Sequence, residues 1–147
     1  MSPHEPHFLF SPSVTDSVAR SVTRSASQKR IALGSRGEAL AARLLVESGM
    51  ILLASNWRIA HGELRGELDL IAQDGDVLVI VEVKTRRGRG FGSPAEAVTV
   101  RKQVKIRALA AAFLRDGRIR ASAVRFDVIG VLIEHDETTI THLRGAF

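Results

Sequence analysis

The feature that most limits how this chain can fold is an almost unbroken run of β-branched and aliphatic residues at positions 77–84. Residues 73–76, which include Gly75, have the composition of a tight turn and join this run to a second apolar segment at 67–72. The two segments predict a β-hairpin. A strand with so few polar positions is typical of one covered on both faces, so we place it near the middle of a sheet.

The remaining apolar patterns predict helices before and after this hairpin. Residues 39–46 have a helical pattern that ends at Gly49, and residues 95–115 predict a second, amphipathic helix. Further β-branched segments predict strands at residues 51–59, 124–133 and 139–143. The predicted order is α-β-β-β-α-β-β, an α/β fold.

Length and composition limit the class of protein. A chain of 147 residues that is 45% hydrophobic has room for one domain with a real core. No apolar run approaches the roughly 20 residues of a membrane span, and the absence of cysteine excludes disulfides, thiolate zinc sites and cysteine nucleophiles. We therefore expect a cytoplasmic protein with no membrane partner. Its formal net charge of +5 favours polyanionic partners.

The first thirty residues differ in composition from the rest. They contain Pro3, Pro6 and Pro12, followed by a stretch rich in Ser, Thr and Arg. This composition predicts a disordered basic tail with weak affinity for phosphate. Valines spaced four residues apart are also compatible with a transient helix or a transit-peptide-like segment. The predicted organisation is a tail, residues 1–30, and a folded domain, residues 31–147.

Two charged residues, Glu82 and Lys84, interrupt the central apolar strand, and alternation places both side chains on one face. Burying an ion costs several kcal/mol unless it is paired or bound to a metal. Pairing within the hairpin can bring Asp69 near Glu82, and two such carboxylates suit Mg²⁺ or Mn²⁺. With Lys84 beside them, this donor set suits hydrolysis of a phosphodiester. A structural salt bridge between Glu82 and Lys84 is the alternative.

Further residues are candidates for the same site. Glu38, early in the first helix, is a candidate ligand for the metal, although that helix also needs charges on its solvated face. Glu67 shares the face of Asp69 and is a candidate to support the site without touching the metal. Asp127 is a candidate structural partner for an arginine, and the histidines receive no role.

Basic residues near the central strand are candidates to bind the phosphates of nucleic acid. They are Arg86, Arg87 and Arg89, in a glycine-rich loop, and Lys102 on the second helix. Gln103 competes with Lys102 for a supporting place beside the site. The alternative for Lys102 and Gln103 is a place on a solvated helix edge, and the alternative for the arginines is that they are ordinary exposed loop residues.

Five motifs also carry a family resemblance. They are Gly34-Ser35-Arg36-Gly37-Glu38, Asn56-Trp57-Arg58, and the segments 66–72, 81–86 and 125–128. Over residues 34–131 the chain resembles the YraN family of bacterial proteins, part of the PD-(D/E)xK nuclease superfamily and similar in core to archaeal Holliday-junction resolvases. The resemblance implies a restriction-endonuclease-like αβββαβ core, with a central mixed sheet flanked by helices.

The resemblance also implies an activity and its residues. Asp69, Glu82 and Lys84 match the superfamily's metal-and-water triad, and Glu38 matches the first-helix acid of the resolvases. Leu68 stands where the motif often has proline. The implied function is a metal-dependent endonuclease that acts on DNA, with branched or structured DNA as the expected substrate.

The alternative to an enzyme is a nucleic-acid-binding module that keeps this fold and turns over slowly or not at all. Binding that survives loss of Asp69 would favour the module, and stabilisation by metal would favour a working site. A homodimer that places two sites on two strands is compatible with so small a domain. Beyond Mg²⁺ or Mn²⁺, no small-molecule cofactor is expected.

Overall fold

A computed structural model describes residues 14–88 and 93–147, with side chains described from residue 26 onward. The chain divides into two units, residues 1–32 and 33–147. Helix α1 spans Val14–Glu47, so residues 14–30 of the predicted tail lie in a helix, and the disorder predicted for residues 1–30 in solution stays a prediction. In the described part of the chain, no helix is long and apolar enough to cross a membrane.

Five strands form one mixed sheet with the order β1-β2-β3-β4-β5. Their bounds are Ile51–His61, Leu64–Asp74, Val77–Arg87, Ala123–Glu134 and Glu137–Leu143. Neighbouring strands are antiparallel except β3 and β4, which are parallel. The predicted hairpin, its central second strand and the order of elements are therefore confirmed.

The second helix begins later than its apolar pattern predicts. Residues 95–115 were expected to be one helix, but a short 3-10 helix covers Pro94–Ala97 and α2 covers Val100–Arg115. The cause is Thr99, whose extended backbone and side-chain oxygen cap α2, accepting a hydrogen bond from the Lys102 N–H at 3.2 Å. A capping residue inside an otherwise helical pattern thus sets the start of α2.

The sheet separates two apolar clusters. The C-terminal part of α1 packs with Val79 on one face, and α2 packs with Leu78 and Ile80 on the other. Because side chains alternate along a strand, Glu82 and Lys84 continue the face that carries α2. The two charged residues of β3 therefore lie beyond the end of the α2 cluster.

Gly37 allows α1 to approach β3 at Thr85, the residue after Lys84. A Cβ atom at position 37 would overlap the Thr85 side chain and lie 2.8 Å from its Cβ. We therefore expect Gly37→Ala to lower the free energy of unfolding, measured with urea, by about 1–3 kcal/mol.

Gly34→Ala is the matched control for this close approach, because a Cβ at position 34 of the same helix meets nothing within 4 Å. This control should gain roughly 0.5–1 kcal/mol from helix propensity. Combining Gly37→Ala with Thr85→Ala should recover stability. If Gly37→Ala were as stable as Gly34→Ala, close packing of α1 on β3 would be refuted.

Candidate active site

The hydrogen-bonded ladder between β2 and β3 ends before the strands do. Its cross-strand pairs run from Asp74 with Val77 to Leu70 with Val81 and stop there. Further along β3, the Val83 N–H donates to Oδ2 of Asp69 at 2.9 Å. The Asp69 carboxylate thus takes the place of a main-chain acceptor where the charged residues of β3 begin.

Glu82 is a carboxylate that the sheet buries almost completely. Its side chain is 6% exposed, and its Oε1 lies 3.4 Å from Lys84 Nζ and 3.7 Å from Lys102 Nζ. Two ammonium groups from two elements therefore face one buried carboxylate, which offsets the cost of removing its charge from water. The structure thus brings together Glu82, Lys84 and Lys102, three residues that the sequence names as candidates.

The charge of Asp69 is balanced less completely than the charge of Glu82. Burial, and then repulsion from Glu82, raises the pKa of Asp69 to about 7, although the hydrogen bond from the Val83 N–H acts in the opposite direction. Glu38 adds further repulsion and Lys102 some attraction. Ionising Asp69 therefore costs more than ionising an exposed aspartate, and a further cation near the two carboxylates would lower that cost.

Asn56 is a residue of this site to which the sequence assigns no role. Its backbone has a φ of 51°, in the left-handed region that residues other than glycine rarely adopt. With its amide nitrogen turned toward the neighbouring carboxylates, it donates to Glu67 Oε1 at 2.8 Å and to Glu38 Oε2 at 3.0 Å. Arg58 donates to the other oxygen of Glu67, also at 2.8 Å. Asn56 therefore links Glu38 of α1 to Glu67 of β2.

The arginines predicted to bind nucleic acid occupy different environments. Arg86 is half-buried and lines a cavity beside Lys84, whereas Arg87 at the end of β3 is exposed. Arg89 lies outside the described residues. Contact of these arginines with nucleic acid stays a prediction.

Gln103 and Lys102 do not compete for one place. The Gln103 side-chain amide donates to the Val98 carbonyl at 3.1 Å, so it holds the segment before α2. Lys102 extends to Glu82 instead. The contact that the structure shows for Gln103 is therefore structural.

The donor set can be compared with what a metal needs. Among the described residues, no three His, Cys, Asp or Glu side chains are grouped so that they could hold a metal ion. Asp69 and Glu82 remain as a pair, and Glu38 is engaged by Asn56. Mg²⁺ usually keeps several waters and takes one or two protein carboxylates, so this pair of hard oxygen donors fits it. Metal binding itself stays a prediction.

A second polar cluster surrounds Asp127, whose side chain is fully buried. Arg125 donates to both of its oxygens, at 2.9 and 3.1 Å, which confirms the predicted arginine partner. His142, to which the sequence assigns no role, places Nε2 2.8 Å from Asp127 Oδ2. No local sequence motif predicts this contact, because it arises from the pairing of β4 with β5.

Together, the fold and the site define an α/β protein whose mixed five-stranded sheet and two helices are consistent with a restriction-endonuclease-like core. The model of a family described as "Uncharacterised protein family UPF0102" matches residues 37–131. The chain belongs to this family, UPF0102 or YraN.

Individual relatives agree with the family match. A UPF0102 protein of Rhodococcus jostii is 55% identical over 118 residues, which cover 80% of this chain and 97% of that protein. One of Acidothermus cellulolyticus is 48% identical over 129 residues, covering 80% and 95% of the two chains. One of Nocardia farcinica is 49% identical over 117 residues, covering 79% and 89%. The similarity thus extends over nearly the whole length of each relative.

Proposed function

We propose that this protein is a metal-dependent nuclease that hydrolyses phosphodiester bonds in DNA. The support is the meeting of Asp69, Glu82 and Lys84 where the ladder between β2 and β3 ends. Asp69 and Glu82 would hold Mg²⁺ or Mn²⁺. When bound, such an ion neutralises charge on a phosphate and lowers the pKa of a water molecule.

The observation that carries the proposal is the unbalanced charge at Asp69. A purely structural salt bridge needs only Glu82 and Lys84. Such a salt bridge does not account for a second, partly buried carboxylate, Asp69, whose pKa is raised to about 7 by burial and by repulsion from Glu82. Groups perturbed by both burial and a specific charged neighbour cluster at functional sites. A site built to take a cation explains both carboxylates.

The two lysines have distinct parts in this proposal. Lys84 is 31% exposed and Lys102 44% exposed, so each can reach solvent while it faces Glu82. Their ammonium groups can donate to oxygens of a phosphodiester and stabilise the negative charge that develops in the transition state. Lys84 also lies where it can orient an attacking water.

The nature of the substrate rests on charge and on the family resemblance. The formal net charge of +5 favours a polyanion. The resemblance to Holliday-junction resolvases favours DNA, and branched or otherwise structured DNA in particular. A homodimer with two sites stays a prediction.

The test is cleavage of labelled Holliday junction, flap, single-stranded and duplex DNA with Mg²⁺, Mn²⁺ or EDTA. We expect cleavage that requires the metal, and we expect Glu82→Gln and Lys84→Met each to lower its rate by roughly 100-fold. Glu47→Gln is the matched control, because Glu47 is an exposed carboxylate whose partner is Arg43 on the same helix.

This design separates the protein's own activity from a contaminating nuclease, which would survive both site variants. Circular dichroism of each variant establishes that the fold is retained. Salt-sensitive DNA binding without cleavage in any metal would refute the nuclease and favour the nucleic-acid-binding module.

A further inference from the structure

A cavity of about 190 Å³ lies beside Lys84, and neither Asp69 nor Glu82 lines it. Besides Lys84, its lining includes Arg86, Pro94, Thr139 and Thr141. Apart from Lys84, none of these residues has a part in the proposed hydrolysis. The cavity thus adjoins the candidate active site without repeating it.

The register of the sheet explains why these side chains meet. Two rungs of cross-strand partners, each running from β3 through β4 to β5, form the floor of the cavity. The rungs are Lys84, Gly130 and Thr141, and Arg86, Leu132 and Thr139. Partners directly opposite each other share a face, and adjacent strands lie about 4.8 Å apart. Two cations on β3 therefore face two hydroxyl groups on β5, roughly 10 Å away across β4.

Gly130 lies in the middle of this floor and has no side chain, which lets Pro94 pack against the backbone there. A Cβ atom there would overlap the ring of Pro94 and lie 2.9 Å from the Pro94 Cβ. Pro94, which begins the 3-10 helix, therefore sits directly over the backbone of β4 and forms a wall of the cavity. The lining therefore combines two cations and two hydroxyl groups with apolar surface from Pro94 and Leu132.

We propose that this cavity binds one sugar–phosphate unit of the nucleic-acid strand, next to the bond that is cleaved; this inference rests on the proposed nuclease function. Lys84 and Arg86 supply positive charge for the phosphate. Thr139 and Thr141 supply hydroxyl donors and acceptors, and Pro94 supplies apolar contact for the sugar.

The size of the cavity is compatible with this unit. A volume of about 190 Å³ is below the roughly 300 Å³ at which pockets begin to enclose whole small ligands. It accommodates a sugar and its phosphate and leaves the base outside. Contacts to sugar and phosphate carry no sequence information, so the cavity positions the strand without selecting a sequence.

The test measures binding of 2-deoxyribose 5-phosphate to the full chain in EDTA, from chemical-shift changes of backbone amides. We expect the changes to centre on Gly130, Thr139 and Thr141. The double variant Thr139→Val/Thr141→Val keeps side-chain size and should weaken binding at least fivefold. Thr138→Val is the matched control, since Thr138 lies on the same strand and points to the other face.

Two results would overturn the subsite. One is equal affinity of the double variant and the wild-type protein, and the other is equal affinity for inorganic phosphate and 2-deoxyribose 5-phosphate. Because 2-deoxyribose 5-phosphate contains no phosphodiester bond, this binding measurement does not depend on nuclease activity. If DNA is cleaved, the double variant should raise KM at least fivefold and change kcat less than twofold, whereas a fall in kcat alone would contradict a binding role.

Discussion

Asp127→Ala is expected to lower the free energy of unfolding by about 3–5 kcal/mol, because it removes the fully buried carboxylate of an ion pair together with its other hydrogen bonds. The Asp127 side chain is fully buried and accepts hydrogen bonds from Arg125 and from the Gly145 N–H at 2.9 Å. It also lies 2.8 Å from Nε2 of His142. Truncation leaves the Arg125 guanidinium, which is 24% exposed, with Asp74 as its remaining ion-pair partner in the described chain.

The control for Asp127 is Asp116→Ala, which removes an exposed carboxylate paired with Arg118 at 3.3 Å. Such a surface pair contributes about 0–1 kcal/mol. Asp127→Asn keeps the shape and removes the charge, so it remains measurable if the alanine variant does not fold. Urea unfolding in which Asp127→Asn and Asp116→Ala lose equally little stability would contradict the buried network.

The contribution of Asp127 also depends on pH. Burial alone would raise the pKa of Asp127, but hydrogen bonds from Arg125, Gly145 and His142 hold it below its usual value. A lowered carboxyl pKa stabilises the folded state above the unfolded pKa of about 3.9, and this stabilisation is lost as pH falls through the folded pKa. The difference between wild type and Asp127→Asn should therefore shrink in acid.

Much of the fold could be predicted because local pattern and tertiary environment agree. The apolar run of β3 is long enough to identify a strand covered on both faces, and the turn around Gly75 fixes its partner β2. The start of α2 could not be read from periodicity alone, because the capping role of Thr99 outweighs the helical pattern before it. A boundary that depends on one side-chain hydrogen bond is weakly marked in a sequence.

The part of the candidate site that the sequence encodes most directly lies within one hairpin. Alternation along β3 places Glu82 and Lys84 on one face. The hairpin also brings Asp69 close to β3, although its ladder of pairs ends at Leu70 and Val81. The bridge from Asn56 to Glu38 joins α1 to β1, and no spacing along the chain encodes that approach. Two signals could have identified Asn56. One is its place in the motif Asn56-Trp57-Arg58, and the other is its residue type, since asparagine tolerates the left-handed backbone more readily than most residues.

Removing the charge of Asp69 is expected to have the second large effect on stability. Unlike the Asp127 variants, the Asp69 variant should be more stable than the wild type. With metal removed by EDTA, we expect Asp69→Asn to raise the free energy of unfolding at about pH 8 by up to about 4 kcal/mol. The folded pKa of about 7 lies above the unfolded value, so the unfolded chain loses its proton first as pH rises. Wild-type stability should fall between about pH 4 and pH 7 and then level off, and the benefit of Asp69→Asn should nearly vanish at about pH 4.

Urea unfolding across this pH range measures the effect, and Asp136→Asn, in the exposed turn between β4 and β5, is the matched control with no expected change. Asparagine can still accept the hydrogen bond from the Val83 N–H, so the comparison isolates charge. Saturating Mg²⁺ at about pH 8 should stabilise the wild type, because a ligand that binds only the folded state adds its binding free energy. It should stabilise Asp69→Asn much less. Equal stabilisation of both proteins by Mg²⁺ would place the ion elsewhere, and a flat wild-type profile would show that burial and Glu82 do not strain the Asp69 carboxylate.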